Sequence, residues 1–278
     1  MPGYFEGWYY KQQNGKHTLA LIPAFHIGKE PHASLQVITD DASYSIPFQN
    51  FSFDRKEHRF FLGNNRFTLN SLSVDCHTSN ISIAGNLNFD FLTPLHNDIM
   101  GPFRFAPFMQ CRHSVFSMSH RVNGTIHLNG YPYRFCNGTG YMEGDRGRSF
   151  PKRYLWTQCN APEGDVMISA ASVPYMGFNI TGVIAAVILH GTEIRMATYY
   201  GAKLVHAEKN FFAISQNDWY LSAHLLRGLP RALKAPVNGN MHRTVWESAS
   251  CQVRYRLMRK NNILFDFISP NASFENAW

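Results

Sequence analysis

The chain is poor in charge: Asp, Glu, Lys and Arg make up 16% of its 278 residues, against roughly a quarter in an average soluble protein. That scarcity excludes a disordered or coiled-coil protein, because both need a polar, charge-rich sequence. Long apolar runs are also missing. The longest, Val183 to Leu189, falls far short of the ~20 residues that cross a bilayer as a helix. The first residues, Met1-Pro2-Gly3-Tyr4-Phe5-Glu6, have neither the basic start nor the apolar core of a secretion signal. The expectation is a soluble, cytoplasmic protein with no stable membrane insertion and at most peripheral membrane contact. Its five cysteines are an odd number with no Cys-x-x-Cys spacing, so neither a disulfide framework nor a zinc finger is indicated. Absent too are a Gly-x-Ser-x-Gly elbow and a Gly-rich phosphate loop, which removes the usual signatures of serine hydrolases and nucleotide binding.

Aromatic residues, by contrast, reach 14%, and the net charge is +7. The positive charge is scattered. Its densest stretch, Arg254, Arg256, Arg259 and Lys260, interleaves with Val253, Tyr255 and Leu257, the alternation of a strand with one wet and one buried face. A nucleic-acid partner would require a contiguous basic face, so none is expected.

Short alternating runs recur throughout, from Tyr4–Tyr10 and His17–Phe25 to Cys251–Met258 and Ile263–Ile268. Between them lie pairs such as Asn14-Gly15, Asn123-Gly124, Asn129-Gly130 and Asn238-Gly239, which tolerate the positive φ of tight hairpins. Helical periodicity is confined to one or two turns, near Pro151–Tyr154 and Leu229–Leu233. Many short antiparallel strands point to an all-β protein, and closure into barrels removes edges that would aggregate. A barrel of about eight strands encloses room for one small apolar ligand, which an aromatic lining suits. The polar stretch Ser119 to Gly124 suggests two such units, residues 1–122 and 123–278.

The segment Gly138 to Gln158 is the most unusual. Glu143 and Asp145 stand two apart among glycines, beside Arg146 and Arg148, and Tyr154, Trp156 and Gln158 follow. On a strand both acids share one face, where mutual repulsion raises one pKa while an arginine lowers the other, a way to prepare a proton donor at neutral pH. The alternative is a structural carboxylate–arginine network. Near the start, Tyr4-Phe5-Glu6-Gly7-Trp8-Tyr9-Tyr10-Lys11 places Phe5, Gly7 and Tyr9 on one side and Glu6, Trp8 and Tyr10 on the other. Glu6 among aromatics needs a partner, expected from the mid-chain arginines. A third segment, Leu233 to Arg243 followed by Trp246-Glu247, reads as a shaped loop entering a strand, and Arg243 and Glu247 are further candidates for the charge network. His113 and His120, seven apart on a strand, cannot clamp one metal. His26 and His32 flank a turn and are expected to be a hydrogen-bonded structural pair.

These three segments resemble the tocopherol cyclase family: an aromatic-Glu-Gly-Trp-Tyr start, a Gly-Tyr-x-Glu-x-x-x-Gly-x-x-Phe-Pro block running into Tyr-x-Trp-x-Gln, and a late Ala-Pro-x-x-Gly-x-Met-x-Arg. Where the family's plant members carry Asn-Trp after the block's Glu-x, this chain has Asp145-Arg146 in the corresponding stretch, so its substrate need not be theirs. The resemblance implies two lipocalin-like barrels packed together, as in carotenoid hydratases, no metal or organic cofactor, and acid-catalysed ring closure of an apolar prenylated quinol or other isoprenoid. Asp145 is then the preferred donor and Glu143 the next, with His113 or Gln158 orienting the phenol. The ring faces of Trp8, Tyr9, Tyr141, Tyr154 and Trp156 would stabilise the cation. The alternative is a carrier that holds a small hydrophobic molecule without changing it.

Overall fold

The computed structural model describes residues 3–28, 31–106, 109–175 and 178–278. It is all β, apart from two 3-10 turns at Gly101–Phe105 and Thr198–Tyr200 among the described residues. The first sheet holds β1 (Tyr4–Gln13), β2 (Thr18–Ile27), β3 (His32–Thr39), β4 (Ser43–Phe48), β5 (Phe51–Asp54), β6 (Arg59–Leu62), β7 (Asn65–Thr68), β8 (Ser71–His77), β9 (Ser82–Asp90), β10 (Cys111–Leu128) and β11 (Tyr131–Gly147). The second holds β12 (Tyr154–Cys159), β13 (Asp165–Tyr175), β14 (Phe178–Leu189), β15 (Thr192–Ala197), β16 (Lys203–Ala207), β17 (Phe211–Gln216), β18 (Trp219–Arg227), β19 (Arg231–Val237), β20 (Asn240–Arg259) and β21 (Asn262–Asn276).

The order in the first sheet is β4-β3-β2-β1-β11-β10-β9-β8-β7-β6-β5. Its two edge strands are consecutive in the chain, joined only by residues 49 and 50, so the sheet must curl until its edges meet. The second runs β15-β14-β13-β12-β21-β20-β18-β17-β16, with β19 paired to β20 alone, and its edges are likewise joined through the turn Thr198–Tyr200. The tight hairpins use the expected chemistry: Asn129 and Gly130 between β10 and β11, and Asn238 and Gly239 between β19 and β20, all have φ between 48° and 81°. The basic run on β20 faces solvent, where Asp266 of β21 accepts from both Arg254 and Arg256.

Three points depart from the expected layout. The passage between sheets lies at residues 148–153 instead of 122/123, because Asn123-Gly124 is a bulge inside β10 and not a turn. Gly124 has φ +134°, and a Cβ there would stand 2.2 Å from the Asn86 carbonyl oxygen. No helical turn forms at either predicted place: residues 151–153 and 228–230 are irregular, and Tyr154 opens β12 and Arg231 opens β19. Finally, the barrels are filled. Trp8, Tyr10, Leu21, Phe60, Phe67 and their neighbours pack the first interior, and Leu155, Phe212, Tyr255 and Leu257 the second.

A third apolar cluster lies between the sheets and draws Tyr9, Ile38 and Tyr141 from the first and Tyr154, Trp156, Ile184, Leu233 and Val245 from the second. β1 therefore buries both faces. Trp8 and Tyr10 point into the first barrel while Tyr9 and Lys11 point to the junction. Lys11 is fully buried there and donates to the Gln158 side chain and the Asn271 carbonyl across the junction. Burial lowers its pKa to about 8.

Candidate active site

At the junction a cavity of about 170 Å³ opens between the outer faces of the two barrels, and not inside either one. An apolar cavity of about 150 Å³ holds a benzene ring, so this one accommodates a single ring, with any longer chain directed towards its mouth. Its floor is made by the outward faces of β1, β2 and β11. Across these strands Asp145, Gly7 and Ala24 stand side by side in register. Gly7 keeps the floor low, because a Cβ there would come within 3.1 Å of the Ala24 methyl. Phe5, Tyr9, Phe150, Tyr154 and Trp156 wall it, with Tyr9 and Trp156 edge to face at 5.5 Å. The β19–β20 hairpin closes the top with Leu233, Pro236, Met241 and Val245. Gln36 pins that hairpin through two hydrogen bonds to the Lys234 backbone, at 3.0 and 2.8 Å.

The polar groups come in two sets. On the first sheet, alternation along β11 aims Tyr141, Glu143 and Asp145 outwards, and register places His113 of β10 opposite Asp145. His113 Nδ1 bonds Asp145 Oδ1 at 3.1 Å, and its Nε2 lies 3.3 Å from Glu143 Oε2 without the alignment of a hydrogen bond. Glu143 Oε2 also accepts from the Tyr141 hydroxyl and from Trp156 Nε1 at 3.2 Å, while Cys111 Sγ donates to Asp145. Burial, the largest single influence on His113, disfavours its charged form. The charges of the two carboxylates and the hydrogen bond to Asp145 outweigh it and hold the His113 pKa well above an ordinary imidazole. These three side chains have donor atoms within 4.8 Å of one another, the spacing of a three-ligand cation site. Because both ring nitrogens already face carboxylates, an imidazolium supplies the positive charge the acids need.

On the second sheet, Glu247 of β20 and Glu275 of β21 are direct cross-strand partners, and both line the cavity. Like charges directly opposite repel at side-chain separations near 5 Å, and both are almost wholly buried. Desolvation is the chief cause that raises the Glu247 pKa to about 7 and that of Glu275 to about 8, each pushed further by a neighbouring acid. Tyr9 donates to Glu247 Oε1 at 2.6 Å, and Tyr154 donates to Glu275.

The predicted residues thus divide. Asp145, Glu143, His113, Tyr9, Tyr154 and Trp156 line the cavity, whereas Trp8, which borders it, turns its ring into the first barrel against Phe53, Phe60 and Phe116. Tyr141 stands behind it as a support for Glu143, and Gln158 is engaged with Lys11 and Asn160 away from the lining. The postulated charge network does not assemble. Glu6 faces the first barrel and pairs with Arg55 at 2.6 Å, not with the mid-chain arginines. Arg146 stands opposite it in register and Arg148 is exposed. Arg243 donates to the Pro151 and Lys152 carbonyls, and Glu247 faces the cavity. Glu275 and His26 were missed as lining residues: Glu275 sits in Ala-Ser-Phe-Glu-Asn with no motif around it, and only the alternation of β21 could have placed it beside Glu247.

The family model of tocopherol cyclase-like proteins matches residues 103–276, which include β10, β11 and all of the second sheet. The chain belongs to the tocopherol cyclase-like family. Among solved structures it resembles CghA with Sch210972, at 10% identity and TM-score 0.61, over 99% of this chain and 88% of that one. It also resembles kievitone hydratase from Nectria haematococca, at 10% identity and TM-score 0.59, over 99% of this chain and 89% of that one. Both likenesses concern the fold. No curated protein matches the chain in sequence.

Proposed function

We propose that this tocopherol cyclase-like protein is a cofactor-independent, acid-catalysed cyclase of an apolar prenylated quinol or related isoprenoid phenol, working in the cavity between its barrels. One observation carries the reading. Four carboxyl groups enter an aromatic-walled cavity, and none of them is ion-paired to an arginine among the described residues. A carrier has no need of such an arrangement, because buried acids weaken the binding of a greasy ligand that gives them no partner.

The geometry redistributes the roles expected from sequence. Glu247, whose pKa burial raises to about 7 so that a large share of it carries a proton at neutral pH, is the proton donor. It transfers its proton to the less substituted carbon of the prenyl alkene; the π bond breaks, a C–H bond forms and a tertiary cation remains. Tyr9 and Trp156 offer ring faces to that cation, each worth about 2 kcal/mol when desolvated. The His113–Glu143–Asp145 cluster, one positive charge between two negative ones, stabilises it from the opposite wall. The phenolic oxygen then closes the ring, and its proton passes to Asp145, the more exposed of the two acids beside His113. One proton is given and one recovered, so the overall reaction is an isomerisation.

The test is turnover by purified protein of 2-geranylhydroquinone, whose ring closure creates a stereocentre bearing a methyl and a longer chain, followed by chiral chromatography. An enantiomerically enriched chroman is expected, with Glu247→Gln slowing its formation by roughly 10²–10⁴-fold, the usual contribution of a positioned acid, while circular dichroism stays unchanged. A racemic product at the buffer rate, or undiminished turnover by the variant, would overturn the reading.

A further inference from the structure

His26 is a polar group in the cavity that the mechanism leaves unused. It lies on the outward face of β2, two residues beyond Ala24, with Phe5 of β1 and His32 of β3 as its cross-strand neighbours. Its ring stacks obliquely on that of His32 at 4.9 Å. Only 1% of its surface is exposed, and it lines the cavity. Neither Nδ1 nor Nε2 has a hydrogen-bond partner among the described residues, contrary to the expected structural pair. Leaving a buried donor or acceptor unpaired is costly, and His26 bears that cost at both ring nitrogens. Burial, helped by His32, lowers its pKa to about 3, so the ring is neutral and offers one N–H donor and one lone pair.

We infer that His26 is a ligand-binding residue which hydrogen-bonds an uncharged hydroxyl on the substrate ring, at the end remote from the acids. Its place in the sheet sets the ligand's shape. β2 and β11 flank β1 and His26 lies two residues along β2 from Ala24, the residue level with Asp145, so His26 and Asp145 stand two strand spacings across and two residues along from each other, roughly 12 Å between backbones. Between them the floor consists of Gly7 and Ala24. A ring lying on that floor presents one oxygen to His113 and Asp145 and a second to His26. A dihydroxylated ring satisfies both ends, whereas a monophenol leaves the imidazole orphaned. A neutral imidazole also favours a hydroxyl over a phenolate or carboxylate, since it has one donor and no charge to offer an anion.

This inference rests on the cyclase reading, and the experiment separates the two. Binding of 2-prenylhydroquinone and of 2-prenylphenol, which lacks the remote hydroxyl, is followed by quenching of tryptophan fluorescence in wild type and in His26→Phe. Wild type is expected to prefer the hydroquinone about tenfold, and His26→Phe to bring the ratio close to one while binding 2-prenylphenol within threefold of wild type. His26→Gln, which keeps a donor and an acceptor, should restore part of the preference. Side-chain ¹⁵N spectra of wild type give a readout independent of any variant's folding: the His26 resonances should move with the hydroquinone and not with the phenol. An unchanged ratio in His26→Phe, or His26 resonances indifferent to both probes, would overturn the assignment and leave the cyclase standing. Failure of wild type to bind either probe would sink both.

Discussion

Glu247 and Glu275 hold a proton at neutral pH for a reason that also makes the protein pH-sensitive. Both carboxyls bind protons more tightly folded, with pKa values raised to about 7 and 8 from an ordinary 4.5. Between pH 4.5 and 8 the native state therefore carries more protons than the unfolded chain, and stability falls as pH rises through that window. His26 acts at the other end: with its pKa lowered to about 3, it costs stability as pH falls below 6.5. Urea denaturation at pH 5, 6.5 and 8 should show Glu247→Gln losing less stability than wild type over this range, by about 1–3 kcal/mol. Parallel curves for the two proteins would mean that Glu247 is ionised in the folded state. At this scale the sequence was informative where acids cluster locally, as at Glu143 and Asp145. It was silent on Glu275, whose environment is assembled by a strand pairing with Glu247 from a neighbouring part of the chain and by Tyr154, more than a hundred residues earlier.

Among the elements, the β19–β20 hairpin stands apart, since β19 pairs with β20 alone and rests on the first barrel instead of extending the second sheet. It is held there by Gln36, by the Ser43 hydroxyl on the Ala232 carbonyl, and by backbone and side-chain bonds from residues 148–150 to residues 236–239. Gln36→Ala removes two part-buried bonds from the hairpin and deprives the Lys234 carbonyl and amide of their Gln36 partners. The expected result is faster hydrogen exchange of residues 231–237 with little change in β12–β15, together with a global loss of roughly 1–2 kcal/mol. Unchanged exchange in the hairpin would show that it is held by other contacts. Turn chemistry revealed the hairpin tip at Asn238-Gly239, and period-two alternation revealed most of the longer strands. The same dipeptide logic misled at Asn123-Gly124, because a bulge and a turn ask for the same backbone freedom; only the close approach of the Asn86 carbonyl distinguishes them.

In the whole molecule, two barrels with solid interiors enclose their cavity between them. Strands such as β1, β11 and β12 bury both faces, one in a barrel and one at the junction, which explains a chain so rich in aromatics and so poor in charge. Alternation told which residues share a face, but it could not tell an interior face from a junction face, since both are apolar; hence the expectation of a ligand within a barrel. A crystal structure with 2-(3-methylbutyl)hydroquinone, whose saturated tail cannot be protonated, tests the arrangement most directly. The ring should lie on Gly7 and Ala24 between the Asp145 and Glu247 carboxyls, edged by Tyr9 and Trp156. Density for the ligand beside Tyr10 inside the first barrel, or beside Tyr255 inside the second, would contradict it.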